Sequence, residues 1–203
     1  MPTILIFILL SFALLRFTMR NTDKIEQKKN EAFWEKERQA NNTRKQDISD
    51  LPYIDLAKAA LPYDTDESDI EIRAAREGIK KMADAKILKL TGISNTDLKL
   101  AYGAANLNFL SACDENYSRL VRLLNKWGRL LFEKGKNEDA LQVLSYAVSI
   151  ESDIEETYIL LAKYYKENGN ADKIDELKSV AGINFEEARR NIVLSKLDDI
   201  IRS

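Results

Sequence analysis

Few of the side chains that ordinarily carry chemistry are present in this chain. It contains no histidine and a single cysteine, Cys113. Ser/His/Asp and Cys/His nucleophilic arrangements, histidine-ligated zinc and disulfide staples are therefore outside its means. The lone thiol reads as a small buried core residue, and a chain so poor in cysteine suits a reducing compartment. No Gly-rich stretch precedes a Lys-Ser or Lys-Thr pair, so no phosphate-binding loop is encoded. Carboxylates abound, but so charged a chain produces scattered pairs by composition alone, and these do not mark a general acid and base. The densest acidic group is Asp64, Asp66, Glu67, Asp69 and Glu71. It partly mimics a calcium loop, yet lacks the Gly of the sharp turn and the late Glu, and acids favoured at a helix start account for it. No catalytic residue, cofactor or metal is expected, and the chain does not read as an enzyme. Binding is the better expectation. Arg122, Asn125 and Arg129 stand at i, i+3 and i+7 and share one face of a helix.

The elements that would hold such a face are helical. With three Pro and seven Gly in 203 residues there are few turn signals, and Leu, Lys, Glu and Ala dominate, so the expected class is all-α. Ile70, Ala74, Ala75, Ile79, Met82, Ala83, Ile87 and Leu90 form a stripe that predicts one helix closed by Gly92. Ser94-Asn95-Thr96-Asp97 then caps a second helix through Leu107, with Gly103 permitting a close crossing, and the two are expected to pair as a hairpin capping the repeats of the C-terminal half. Further helices are predicted from Glu115 to Lys134 (opened by Asp114) and near 138–149, 153–168, 171–181 and 185–202. The last one, through Leu194, Leu197 and Ile200, is expected to cap the C-terminal end.

Within this run there is a 34-residue echo. Trp127-Gly128, Leu131, Gly135, Ala140 and Ala147 recur as Leu161-Ala162, Tyr165, Gly169, Ile174 and Ala181. The period and the placing of small residues resemble the tetratricopeptide repeat family, with repeats at about 121–154 and 155–188. Ile174 and Lys178 depart from that pattern, as do Ser152 and Glu186, where the repeat usually ends in Pro. The resemblance implies helical hairpins stacked as a short superhelix whose first helices line a concave groove. Carried over residue by residue, it puts Arg122, Asn125, Arg129 and Phe132 of the first copy in that groove, with Ile159, Lys163 and Lys166 of the second. Such a cationic groove would grip a carboxylate of a protein or peptide partner. Trp127, Tyr158, Tyr164 and Tyr165 are expected between helices instead.

The N-terminal part has a different character. Ile4–Leu15 reads ILIFILLSFALL, and residues 1–19 are expected to form one short membrane-spanning anchor. Arg16, Arg20, Lys24, Lys28 and Lys29 come after the apolar run, which by the positive-inside rule leaves the C-terminal domain cytoplasmic. Residues 20–46 carry a local charge of +3 and read as a charged juxtamembrane helix or linker, and residues 47–66, with Pro52 and Pro62, as an extended strap that lays Leu51, Tyr53, Ile54, Leu56 and Leu61 on a domain of residues 67–203. Residues 47–203 sum to −6, which argues against nucleic acid as a partner. The function expected is a membrane-anchored interaction module, a scaffold or adaptor. The alternative is a chaperone-like or assembly factor beside a membrane machine.

Overall fold

The computed structural model describes Arg16, Lys24, residues 26–63 and residues 68–202. The expected anchor lies outside the described residues except for Arg16. Among the described residues the chain is all-helical, without a strand, and no helix is long and apolar enough to cross a membrane. In chain order the helices are α1 (26–42), α2 (Ile70–Lys80), α3 (Asn95–Tyr102), α4 (Leu107–Glu133), α5 (Asn137–Ser149), α6 (Glu155–Glu167), α7 (Ala171–Asn184) and α8 (Glu187–Arg202). Short 3-10 turns at Leu56–Lys58 and Ala104–Asn106 complete them. They fall into two compact units, Met1–Ser49 with Gly92–Phe109, and Asp50–Thr91 with Leu110–Ser203.

In the first unit α1 and α3 meet along a polar seam. Lys36 reaches Asp97 at 2.7 Å, Lys99 reaches Glu37 and Asn41 at 2.9 Å each, and Thr96 donates to Glu37. Ala40 is the α1 residue fully buried there. Ser94 caps α3 by accepting the Asp97 N–H. At the other end Gly103 stops the helix with φ of 88°, and a Cβ there would stand 2.4 Å from the Arg44 carbonyl oxygen. Gly103 is therefore a helix stop at a close backbone approach, not a crossing inside a helix running on to Leu107. The Asn106 amide, buried beside it, donates to the carbonyls of Gln46 and Tyr102.

The second unit is built around α4. Asp69 caps α2 through the N–H groups of Glu71 and Ile72 and pairs with Lys134 at 2.9 Å. The buried stripe of α2 is Ile72, Ala75 and Ile79, whereas Ile70 is 73% exposed. The helix expected to run to Leu90 ends at Lys80, because three backbone donors and acceptors beyond it are claimed elsewhere. Ile87 O accepts from Ile54 N–H, Leu88 N–H donates to Cys113 O, and Leu90 N–H donates to the Asp114 carboxylate. The apolar residues of this stretch, Ile87, Leu88 and Leu90, are buried even so, as an extended segment. Asp114 is not a helix start; it lies inside α4 and holds that segment. Of the two helices expected to pair as a hairpin, the first is therefore short, and α3 belongs to the other unit.

Of the strap expected over residues 47–66, residues 47–49 fall in the first unit and 64–66 lie outside the described residues; residues 50–63, with the 3-10 turn at Leu56–Lys58, pack on the helices. Leu56 and Leu61 are buried in a core with Ile72, Ile79, Tyr117, Leu124, Trp127 and Leu131, and Ile54 packs against it. Tyr63 stacks on Trp127 with centroids 5.8 Å apart, Arg76 donates to the Tyr63 carbonyl, and Gln142 donates to that of Ala60.

The 34-residue echo marks equivalent places in two successive hairpins, α4–α5 and α6–α7. Gly135 and Gly169 take φ of 72° and 70° in the two turns, where a left-handed residue ends the first helix of each pair. Ala140, Ala147, Ala162, Ile174 and Ala181 are all buried. A Cβ on Gly128 would come within 2.4 Å of the Leu144 side chain, so α4 and α5 approach more closely than any other residue would allow. A second core of Leu144, Tyr158, Leu161, Leu177, Phe185, Val193 and Leu197 joins α5, α6, α7 and α8. Tyr158 is fixed within it, donating to Ser152 O at 2.9 Å, accepting from Asn184 and standing edge-on to Phe185.

Gly128→Val is expected to destabilise the chain by about 2 kcal/mol through overpacking against Leu144. Gly182→Ala, on a helix with nothing within 4 Å of the new Cβ, is expected to stabilise it by about 0.5–1 kcal/mol. Urea midpoints of the two variants check both signs. Burial pushes the Tyr158 hydroxyl up to about 12. A raised folded pKa favours the protonated form, so its stabilisation is complete below the unfolded value near 10 and lost between about pH 10 and 12. Tyr117 is pushed up by burial as well and shares this loss. Tyr158→Phe should shrink the drop in urea midpoint between pH 9 and pH 11.5 relative to the wild type.

Candidate functional site

The face predicted from the spacing of Arg122, Asn125 and Arg129 exists. It looks onto the first turn of α6 and, beyond it, the first turns of α8. Two acids, Glu155 and Glu156, open α6, where negative charge is favoured by the helix dipole. The result is an open cleft of about 500 Å³ whose floor is Val121 and Ile154 and whose walls carry Arg122, Asp153, Glu155, Glu156 and Arg189.

The predicted residues divide by role. Asn125 is buried, its amide nitrogen donating to Glu156 at 2.6 Å and its oxygen accepting from the Thr157 hydroxyl at 3.0 Å. It joins α4 to α6. Arg129 pairs with Glu133 on its own helix at 2.6 Å and lies 3.9 Å from Glu156. Phe132 is half-buried and stacks on Tyr164 at 5.5 Å, and Tyr164 meets Tyr165 at 6.1 Å, so these rings form a row between α4 and α6. Lys163 is exposed and Lys166 half-buried. They sit about 10 and 15 Å along α6 from Glu156 and do not line the cleft. Ile159 is half-buried and does not line it either. Arg122 remains. It is exposed, it lines the cleft, and among the described residues no hydrogen bond or ion pair engages its guanidinium.

The other charges of the cleft were not singled out in the sequence, and they are occupied. Arg189 lies 3.6 Å from Asp153, Lys196 pairs with Glu155, and Glu156 is taken by Asn125 and Arg129. The available signal was the acidic pair at the start of α6, one repeat after the α4 cations. The site is thus a mixed-charge cleft with one unpaired cation, not a groove of four cations. What it can do chemically is accept one anionic oxygen group against an apolar floor, with Arg122 donating in the forked geometry suited to a carboxylate.

Two further clefts are smaller. One, of about 220 Å³, lies among α5, α6 and α7 and is lined by Val148, Leu161, Tyr165, Leu177 and Val180. The other, of about 300 Å³, lies beside Pro52, Ile54, Leu88 and Glu151. Glu151 is a non-Gly residue with φ of 63°, held there because its carbonyl accepts from the Tyr117 hydroxyl at 2.8 Å and from Lys89 at 3.0 Å. Among the described residues no group of three or more Cys, Asp or Glu is placed to hold a metal ion.

Asn125→Leu should cost about 2 kcal/mol, since it strands the Thr157 hydroxyl, which is fully buried. Adding Thr157→Val removes the stranded partner and should recover part of that loss, giving a measurable non-additivity in a double-mutant cycle of urea denaturation. The chain matches no family model, no curated protein and no solved structure.

Proposed function

We propose that this chain is a membrane-anchored interaction module, an adaptor or scaffold whose α4–α8 region receives an acidic segment of a partner protein in the cleft at Arg122. The observation that carries this reading is the exposed, unpaired guanidinium of Arg122 in a cleft where the other cations already have acidic partners. An arginine so placed is free to form charge-assisted hydrogen bonds without first breaking an internal pair.

The wider frame of the proposal comes from the sequence. Residues 1–19 anchor the chain by a single span, and the cations after it hold the domain on the cytoplasmic side. The α4–α5 and α6–α7 hairpins form two repeats of a tetratricopeptide-like superhelix, with α8 as its C-terminal cap. The equivalent turns at Gly135 and Gly169 and the buried small residues of both hairpins support that relation. The outer side of α8 is mostly polar, as a terminal cap requires, while Val193 and Leu197 face the core.

Arg122→Glu is the test. A photo-crosslinking residue at Ser118, on the cleft wall, is expected to capture one dominant partner from intact cells. Arg122→Glu should abolish that adduct, and the neutral Arg122→Gln should abolish it while leaving the melting temperature unchanged, because no internal contact is lost and no acid is added beside Asp153, Glu155 and Glu156. Arg129→Glu serves as the contrast: it breaks contacts to Glu133 and Glu156 and should lower stability as well. Many weak adducts insensitive to Arg122→Glu would favour the chaperone-like alternative. Absence of any adduct would remove the adaptor reading.

A further inference from the structure

Residues 26–35 of α1 are exposed throughout, whereas from Lys36 onward the helix docks on α3. On this projecting part stand two large aromatic residues, Phe33 and Trp34, 51% and 61% exposed, packed edge to face with centroids 5.3 Å apart. Two adjacent rings in mutual contact present one apolar surface with an indole N–H at its margin. They do nothing for the core of either unit, and their exposure costs solubility unless something covers them.

We propose that the Phe33–Trp34 pair is a lipid-interface contact that seats α1 in the headgroup region of an anionic bilayer. The proposal rests on the reading that residues 1–19 hold the chain at a membrane. Leu15, the end of the apolar run, and Phe33 are separated by 18 positions, so the pair is tethered within at most about 60 Å of the lipid. Tryptophan and its amphipathic relatives are the residues that concentrate at headgroup depth, where the ring is buried and the N–H stays wet. The charges around the pair fit the same surface. Lys29 stands one turn before Phe33 on the same side, exposed and without an ion pair among the described residues. Of the neighbouring acids, Glu35 is taken up by Arg38 and Glu37 by Lys99, while Glu31, one turn before Trp34, is exposed and is offset by the equally exposed Lys28 and Lys29. Net positive charge over residues 20–46 completes the attraction to anionic headgroups.

A second copy of the chain fits less well. Phe33 and Trp34 are the large apolar residues of the exposed stretch, with no heptad seam around them. Two rings fall well short of the roughly 800 Å² per partner that a stable protein contact buries. A lipid surface needs no such area or complementarity.

The chain supplies its own reporter, since its two tryptophans are Trp34 and Trp127, and Trp127 is 1% exposed. The full-length protein would be reconstituted into phosphatidylcholine vesicles containing phosphatidylserine, recovered by flotation, and its fluorescence compared with that of Trp34→Phe, which isolates the Trp127 background. The expected result is a blue-shifted Trp34 signal, quenched by acyl-chain-brominated lipid and roughly twofold or more less accessible to acrylamide than in detergent-free solution. If the chain floats but Trp34 stays open to acrylamide and insensitive to brominated lipid, the contact proposed here is wrong while the anchor stands. Protection from acrylamide without quenching by brominated lipid would identify a protein surface on the pair and also overturn it. Failure to float would remove the membrane reading itself.

Discussion

The close approach of α4 and α5 at Gly128 is the constraint on which the second unit depends. Leu144 sits where a Cβ of residue 128 would be, and it belongs to the core shared with α6, α7 and α8. Its neighbours Val143 and Ala147 belong to the other core, with Trp127, Leu131 and the extended segment of residues 50–63. α5 therefore has a buried residue on both sides, and its position sets how the two cores meet. Were the helices held a methyl group further apart, both cores would lose contacts at once, because packed interiors do not absorb such a shift cheaply.

The polar groups of this unit follow from the same geometry. Asn125 and Thr157 are buried between α4 and α6 and satisfy each other, with Glu156 closing the set. Where the second hairpin departs from the pattern of the first, a local partner compensates. Lys178 stands 34 residues after Leu144, where the first hairpin has a buried apolar residue, and Asp198 of α8 meets its ammonium at 2.5 Å, holding that group charged. Between the two hairpins, Ser152 is fully buried and uses its hydroxyl to accept the Ile154 N–H and its carbonyl to accept from Tyr158.

These compensations also explain which features could be read from the sequence. The bounds of α5 to α8 were legible because turn glycines and a 3.6-residue period mark them locally. The stretch from Lys81 to Leu90 was not, since its apolar residues fit a helical stripe and an extended buried segment equally well. What decides between them is the claim made on its backbone by Ile54, Cys113 and Asp114, residues 24 to 33 positions away. The start of α4 was obscured in the same manner, because Asp114 looks like a helix cap and instead accepts from Leu90. At the cleft, the stripe of Arg122, Asn125 and Arg129 was visible, but pattern alone does not show that the start of α6 brings two acids against it. That juxtaposition neutralises Arg129, buries Asn125 and leaves Arg122 as the residue with capacity to spare.

The α1–α3 seam obeys different physics. The second unit is held by two apolar cores, whereas α1 buries only Ala40 in its seam and relies on Lys36–Asp97, Lys99–Glu37 and the bonds of Thr96 and Asn41. The exposed Lys36–Asp97 pair contributes little and weakens with salt, whereas Lys99–Glu37 is largely shielded from solvent and is screened less. The Thr96 and Lys99 hydrogen bonds hold the Glu37 carboxyl below its usual range, and Lys36 and Ser94 do the same for Asp97. A lowered folded pKa means stabilisation that is present above the ordinary carboxylate range and lost as the pH falls through the lowered values. The seam is therefore complete at neutral pH and loosens in acid or high salt, while the apolar cores of the second unit are indifferent to both. A helix attached in this way can be positioned firmly by the contacts of Gly103 and Asn106 with Arg44 and Gln46, just past its C-terminal end, while its exposed first turns, with Phe33 and Trp34, stay available to whatever surface they meet.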